Sequence, residues 1–234
     1  MKIHLAVVLT FISCSYLSGQ YYRTFEIPED QINTWIPKIS LEYQGIYHFG
    51  ESESESSLRL FFEGKMIVGQ ISQGYWEDST GFWKLKYTNL TNVKIDKQGN
   101  FSSDQYSGRF VHFSENSHKG LRIDNPWTEW IPKGKYEIGY RTATVTRDFP
   151  GKYPELSYRH LSKEELTGLS KKTLQRMRNE IYARYGYRFK SGSKMEKYFS
   201  KQDWYFAQHD DVSSFLSPIE LDNIALIQKV ESLK

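Results

Sequence analysis

The side chains best suited to contact a ligand lie in the proline-led segment 125–130, which reads NPWTEW. Tryptophan faces stack on sugars and other flat apolar groups, so Trp127 and Trp130 could form a binding platform. The same pair could instead close one end of a β barrel. Glu129 lies between them and could serve a glycoside hydrolase, but a chain with 28 acidic residues offers many carboxylate pairs.

No other pattern in the sequence points to catalysis, a metal or a cofactor. Zinc-site spacings such as His-x-x-x-His are absent, because the histidines beyond the N-terminal segment are scattered. They are His48, His112, His118, His160 and His209. The sequence also lacks a Gly-x-Ser-x-Gly elbow, a phosphate-binding loop and a dinucleotide fingerprint. We therefore predict no catalytic residue, no metal and no cofactor, and favour a function other than catalysis.

The composition is that of an ordinary globular protein, with 234 residues, 38% hydrophobic and 25% charged. The net charge of +3 gives no general attraction to nucleic acid, so we predict no nucleic-acid partner. Charge is uneven, however, because residues 159–201 hold twelve basic and four acidic side chains. We favour a solvated helix surface for that stretch, and the alternative is a face for anionic envelope polymers, phosphate-bearing lipids or nucleic acid, the last disfavoured by the export signal.

Residues 1–19 have the pattern of a secretory signal peptide. Lys2 precedes an apolar run at 5–12 that is too short to span a bilayer. The only cysteine, Cys14, follows a segment that resembles a lipobox, with Phe11 where leucine is usual. One alternative is a lipoprotein anchored through Cys14, and the other is cleavage near residue 19, which discards Cys14. On either alternative we expect an extracytoplasmic protein, periplasmic or secreted, without a disulfide.

Residues 20–150 are predicted to form an antiparallel β domain. Apolar and polar residues alternate in four runs, at 58–62, 66–71, 82–87 and 109–113, with turn residues between the runs. Short strands without an intervening helical pattern predict a β barrel or a sandwich. Two prolines and a glycine within 150–154 mark the end of this domain.

Residues 155–234 are predicted to form a small, mainly α-helical domain, so the fold class is α+β. Ser162, Ser170 and Ser217 are placed as helix N-caps, and Gly186 stands where a helix ends in a left-handed residue. The predicted apolar faces comprise Leu174, Met177, Ile181 and Tyr185 in the helix after Ser170, and Leu221, Ile224, Ile227 and Val230 in the last helix.

The segment 178–189, RNEIYARYGYRF, resembles the signature of the YARHG domain, a bacterial extracellular module. The resemblance covers residues 155–234, because Trp204-Tyr205 and Leu216-Ser217 also match. It implies an extracytoplasmic protein and no known chemistry. Tyr185 stands where the motif has histidine, and a tyrosine neither titrates near neutral pH nor binds metal readily.

The motif residues have two interpretations, a structural scaffold or a recognition site, and we favour the scaffold. Glu180 and Arg184 are four residues apart on a helix and can pair, while the small Ala183 allows a neighbouring element to approach closely. The candidate ligand-binding residues of this region are Arg178, Tyr182, Arg184, Tyr185, Trp204 and Tyr205.

These observations favour a non-catalytic binding or assembly module that contacts cell-wall glycan or an envelope protein. Two alternatives stay open: a hydrolase acting on an envelope polymer, and a carrier of a small apolar ligand inside a hollow β barrel. We expect membrane contact only through a lipid on Cys14.

Overall fold

The computed structural model describes residues 27–113, 118–128, 131–145 and 148–234. The signal segment, Cys14, Glu129 and Trp130 lie outside the described residues. Export, lipidation of Cys14 and the role of Trp130 therefore stay predictions.

The part of the chain before residue 146, which we call the β portion, forms one antiparallel sheet. Its described strands are β1 (Ile32–Thr34), β2 (Gly45–Phe49), β3 (Ser56–Glu63), β4 (Met66–Trp76), β5 (Trp83–Asn89), β6 (Lys94–Ile95), β7 (Asn100–Ser102), β8 (Ser107–Phe113), β9 (His118–Asp124) and β10 (Tyr136–Ala143). Their order across the sheet is β5-β4-β3-β2-β10-β9-β8-β7-β6, and β1 pairs with β8. The prediction of an antiparallel β domain ahead of a helical part is confirmed.

The sheet is open, so of the two predicted alternatives, a barrel or a sandwich, the closed barrel is not found. Its two edges are β5 and β6, which follow one another along the chain without pairing in the described sheet. Between them the Leu90 N–H still bonds to Gly69 on β4, while the carbonyl of Thr91 accepts from Asp104. The chain therefore bends between β5 and β6, and these two edge strands do not form a hydrogen-bonded ladder with each other. Closure depends on strand tilt and stagger, which alternating residues do not reveal.

The sheet curls around an aromatic core on its inner face. The rings of Tyr47 on β2 and Phe110 on β8 lie 5.7 Å apart, although two strands separate β2 from β8. Phe49, Leu58 and Leu121 are fully buried in the same cluster. Large side chains therefore fill the space that the curled sheet surrounds.

A carboxylate is buried beside this core. Glu137 on β10 accepts hydrogen bonds from the Gly50 N–H at 2.8 Å and from the Thr128 hydroxyl at 2.6 Å. Burial nevertheless raises the pKa of Glu137, because removal from water disfavours its charged form.

We expect Glu137→Gln to make the free energy of unfolding less sensitive to pH. Because its pKa is raised, Glu137 stays protonated to a higher pH in the folded state than in the unfolded state. The free energy of unfolding of the wild type therefore falls as the pH rises above the ordinary pKa of 4.5. Glutamine can accept from Gly50 and donate to the Thr128 hydroxyl without ionising. Urea unfolding at about pH 5 and about pH 8 measures the effect. The argument would be contradicted if the variant and the wild type differed in free energy of unfolding by the same amount at both pH values.

The part of the chain from residue 148 onward, which we call the helical portion, has four described α-helices. They are α1 (Lys163–Thr167), α2 (Lys171–Arg184), α3 (Lys194–Phe199) and α4 (Pro218–Glu231). The predicted N-caps are confirmed: the side chains of Ser162, Ser170 and Ser217 accept hydrogen bonds from the first turns of α1, α2 and α4. Gly186 has a φ of +72°, as expected for a glycine just beyond a helix end.

The predicted core of the helical portion is confirmed with one exception. All four predicted apolar residues of α2 and its end are buried, and so are three of the four in α4. Leu221 is 49% exposed, whereas Ile219 is fully buried. Tertiary packing explains this difference. One side of α4 packs against α2, and another side places Ile219 against Phe61 and Val68 of the sheet.

The helical portion lies on the outer face of β3, β4 and β5. Besides the apolar contacts of Ile219, His160 joins the two portions, because its backbone N–H donates to Glu63 at 2.9 Å. The edge strand β5 is also contacted: the Leu85 N–H donates to Gln208 Oε1 at 3.1 Å, and His209 Nε2 lies 2.8 Å from the Leu85 carbonyl.

Candidate functional site: a groove between the two portions

Strand register arranges the outer face of β2 to β5 in rows of side chains. The first row, under the helical portion, is Phe61 and Val68, and the second is Arg59, Gln70 and Asn89. The third row is His48, Ser57, Ser72 and Tyr87. The fourth row is Gly74 and Leu85, and the last is Trp76 and Trp83. The helical portion covers the first two rows, through Ile219 and through bonds to Gln70 and Asn89. The remaining rows form the floor of a groove that starts at the boundary between the portions.

The groove contains two adjoining cavities that share Ser57, Ser72 and Leu85. The outer cavity has a volume of about 410 Å³ and ends at the Trp76–Trp83 row. The inner cavity has a volume of about 310 Å³ and lies against the helical portion.

Two exposed tryptophans form a shelf at the outer cavity. Trp76 is 54% exposed and Trp83 is 37% exposed, with ring centroids 5.2 Å apart in an edge-to-face arrangement. The Trp83 ring lies directly over Gly74, where a Cβ would approach its Cζ2 atom to 1.8 Å. Gly74 therefore gives the indole room to lie across the strand.

The floor of the outer cavity is polar. His48 Nδ1 lies 3.5 Å from the Ser57 hydroxyl, and His48 Nε2 lies 3.9 Å from a Glu55 oxygen. The first distance is long for a hydrogen bond and the second is beyond one. The array thus lacks the short contacts of a serine, histidine and carboxylate triad. Within the described ranges, no three His, Cys, Asp or Glu side chains lie close enough to hold a metal ion.

The inner cavity ends at a buried network around Tyr185. The Tyr185 hydroxyl donates to Glu220 at 2.7 Å, and it accepts from Gln70 Nε2 at 3.0 Å. Gln70 also donates to the Phe215 carbonyl at 2.7 Å. Burial, with the nearby charge of Glu220, raises the pKa of Tyr185 well above its ordinary value, so the phenol stays protonated. Tyr185 therefore joins the helical portion to the sheet.

Arg184 is held by internal partners. Its guanidinium donates to Glu180 at 2.7 Å, to the Pro150 carbonyl at 2.8 Å and to the Tyr153 carbonyl at 2.6 Å. The side chains of Arg184 and Glu180 are only 4% and 2% exposed. Burial lowers the pKa of Arg184 and raises that of Glu180. The predicted pairing of Glu180 with Arg184 is confirmed.

The other predicted residues of the helical portion are dispersed. Trp204 is half-buried, packs against Phe199 and lines the inner cavity with Arg184 and Tyr185. Tyr205 donates its hydroxyl to the Tyr187 carbonyl at 2.7 Å. The remaining two lie on α2, where Arg178 pairs with Glu231 of α4 and Tyr182 packs between two apolar clusters.

Trp127 lines neither cavity, although its partner Ser56 lines the outer one. It is half-buried, with its ring 4.7 Å from that of Phe49 at the edge of the sheet core. Its indole N–H donates to the Ser56 hydroxyl at 2.8 Å. Of the predicted site residues that the structure describes, Arg184, Tyr185 and Trp204 line the groove.

Sequence reasoning missed the Trp76–Trp83 shelf, although the sequence carries a signal for it. Two strands meet at the turn at 78–81, and an antiparallel hairpin at this turn places Trp76 directly opposite Trp83. Counting residues outward from this turn along both strands places the Trp76 and Trp83 rings opposite each other.

The fold and the groove define a class of molecule: an α+β protein in which a helical module docks beside an aromatic groove on an open sheet. Residues 152–232 match the family model of the YARHG domain, which confirms the resemblance over the C-terminal third. This domain is an extracellular family without an assigned function, which agrees with an extracytoplasmic location. No curated protein and no solved structure matches the chain. None of the described helices is long and apolar enough to cross a membrane.

Proposed function

We propose that this protein is a non-catalytic binding module of the bacterial cell envelope, which contacts cell-wall glycan through the groove. The observation that carries the proposal is the exposed Trp76–Trp83 shelf at the end of a cavity of about 410 Å³. The N-terminal segment predicts export, either as a free protein or as a lipoprotein anchored through Cys14.

The chemistry of the outer cavity suits a sugar chain. A sugar ring has an apolar face, which stacks on an indole, and hydroxyl groups at its edge, which need hydrogen-bonding partners. The cavity supplies both, because Ser57, Ser72 and His48 line the floor beside the two tryptophans.

The two carboxylates that line the inner cavity, Asp148 and Glu220, are engaged within the protein, which supports binding over hydrolysis there, whereas Glu53 and Glu55 line the outer cavity. Glycosidases need two carboxyl groups that face the scissile bond. Glu220 is instead fully buried, with its oxygens bonded to Ser157, Tyr185 and the Ser217 N–H. Asp148 is bonded to Arg59.

We expect Trp76→Ala/Trp83→Ala to weaken retention on insoluble peptidoglycan by about tenfold, since two stacking contacts are lost. The measurement is a pull-down of the purified protein over a range of peptidoglycan concentrations. The matched control is Phe82→Ala, because Phe82 is 69% exposed on the same hairpin and does not line either cavity.

Unchanged retention of the double variant, or an equal loss in Phe82→Ala, would contradict the groove as the binding site. The Trp127→Ala/Trp130→Ala variant tests the platform predicted from the sequence in the same assay. If the unaltered protein is not retained at all, cell-wall glycan is excluded and an envelope protein becomes the partner to seek.

A further inference from the structure

Arginine and lysine have different roles in the helical portion. Four of its arginines between residues 159 and 201 form ion pairs within the protein, and Arg176 lies over the Tyr198 ring at 4.6 Å. The four ion pairs are Arg159 with Glu165, Arg178 with Glu231, Arg184 with Glu180, and Arg188 with Asp210. The positive charge of these four side chains is therefore balanced internally.

The lysines of the same stretch are all exposed, and none forms an ion pair with a described residue. We call them the lysine surface: Lys163, Lys171, Lys172, Lys190, Lys194, Lys197 and Lys201. The charge of these side chains faces solvent.

Part of the lysine surface lies beside the contact between α2 and α3. The contact of Arg176 with Tyr198 joins α2 to α3. Lys172 is one turn before Arg176 on the same face of α2, and Lys194 is one turn before Tyr198 on the same face of α3. Each of these two lysines therefore lies one helical turn from the contact between α2 and α3.

Three of these lysines occupy positions that oppose helix stability. Lys171 and Lys172 lie in the first turn of α2, which holds no acidic residue, and Lys194 is the first residue of α3. The first turn of a helix carries partial positive charge and favours acidic side chains. Glutamate would be the more stable choice at all three positions.

We propose that the lysine surface binds a phosphate-bearing polyanionic polymer, independently of the groove. Ammonium groups are hydrated point charges without the planar fork of arginine, so they suit a chain of distributed charge more than one fixed anion. A lipid surface fits less well, because helices that lie in membranes expose apolar residues beside their cations. The apolar face of α2, with Leu174 and Ile181, is buried inside the protein.

The test is binding of linear inorganic polyphosphate to the full chain and to the Lys171→Glu/Lys172→Glu/Lys194→Glu variant, measured by titration at low and high salt. We expect the wild type to bind more weakly as salt rises, and the variant to bind at least about tenfold more weakly at low salt. The substitutions place acidic residues in first helical turns, so the variant keeps or gains thermal stability. Loss of binding then does not reflect unfolding.

The matched control is Lys97→Glu/Lys133→Glu/Lys135→Glu, which changes the charge equally at exposed turns of the β portion. Retained binding there supports the lysine surface, whereas an equal loss would show that only net charge matters and would overturn the proposal. Absence of wild-type binding, or binding to phosphatidylglycerol vesicles but not to polyphosphate, would also overturn it. The Trp76→Ala/Trp83→Ala variant should bind polyphosphate normally, so this result and the glycan result are separable.

Discussion

Replacing Arg184 with alanine should lower the free energy of unfolding of the helical portion by about 3–5 kcal/mol. The substitution removes the only ion-pair partner seen for the buried Glu180 among the described residues. It also removes the guanidinium that bonds to the half-buried Tyr153 carbonyl and to the hydroxyl of the buried Ser157. Buried polar groups without partners carry the full penalty of leaving water. Chemical denaturation followed by tryptophan fluorescence measures the loss.

The control for this variant is Arg188→Ala, which removes another arginine just beyond the end of α2. Arg188 and Asp210 are 49% and 82% exposed, so their pair should contribute less than about 1 kcal/mol. Adding Glu180→Gln to Arg184→Ala should restore part of the stability, because the remaining buried group is then neutral. Equal losses for Arg184→Ala and Arg188→Ala would show that burial of the first pair is unimportant.

Replacing Gly186 with valine should cost about 2–4 kcal/mol, through backbone strain and a steric clash together. The residue has a φ of +72°, a conformation that β-branched residues strongly resist. A Cβ there would also lie 2.8 Å from the Phe206 carbonyl oxygen. The Gly186 carbonyl accepts from the N–H groups of Gln208 and His209, so relief by backbone movement would break those bonds.

Gly192→Val separates the two causes. Gly192 has a φ of +75°, but no atom lies within 4 Å of a Cβ built there. This variant should therefore lose only the strain contribution, about 1–2 kcal/mol. If thermal unfolding shows the same shift for both variants, the close approach of Phe206 has no energetic effect.

Local features of this fold were predictable because they depend on neighbours in sequence. The N-cap serines, the glycine after α2 and the pairing of Glu180 with Arg184 each involve residues within four positions of one another. The features that could not be predicted from the sequence depend on tertiary packing. The exposure of Leu221 follows from the docking of α4 on the sheet. Whether a sheet closes depends on strand tilt and stagger, which the alternation of residues does not reveal.

The candidate site was predictable only in part, for the same reason. Arg184, Tyr185 and Trp204 were singled out from the motif, but the sequence gives no sign that they face Arg59 and Tyr87 across the inner cavity. From the sequence alone, tyrosine at position 185 in place of the motif's histidine indicates only a loss of possible chemistry. The Tyr185 side chain is long enough for its hydroxyl to accept a hydrogen bond from Gln70 of the sheet. This contact gives the tyrosine a structural role.

The contact of Gln208 and His209 with Leu85 matters for more than the position of the helical portion. An edge strand with unpaired backbone groups is a template on which other chains can add strands and aggregate. Side chains from residues 208 and 209 occupy both the N–H and the carbonyl of Leu85, near the middle of β5. The helical portion therefore covers the edge strand at Leu85, and we expect a chain cut after the sheet to aggregate more readily.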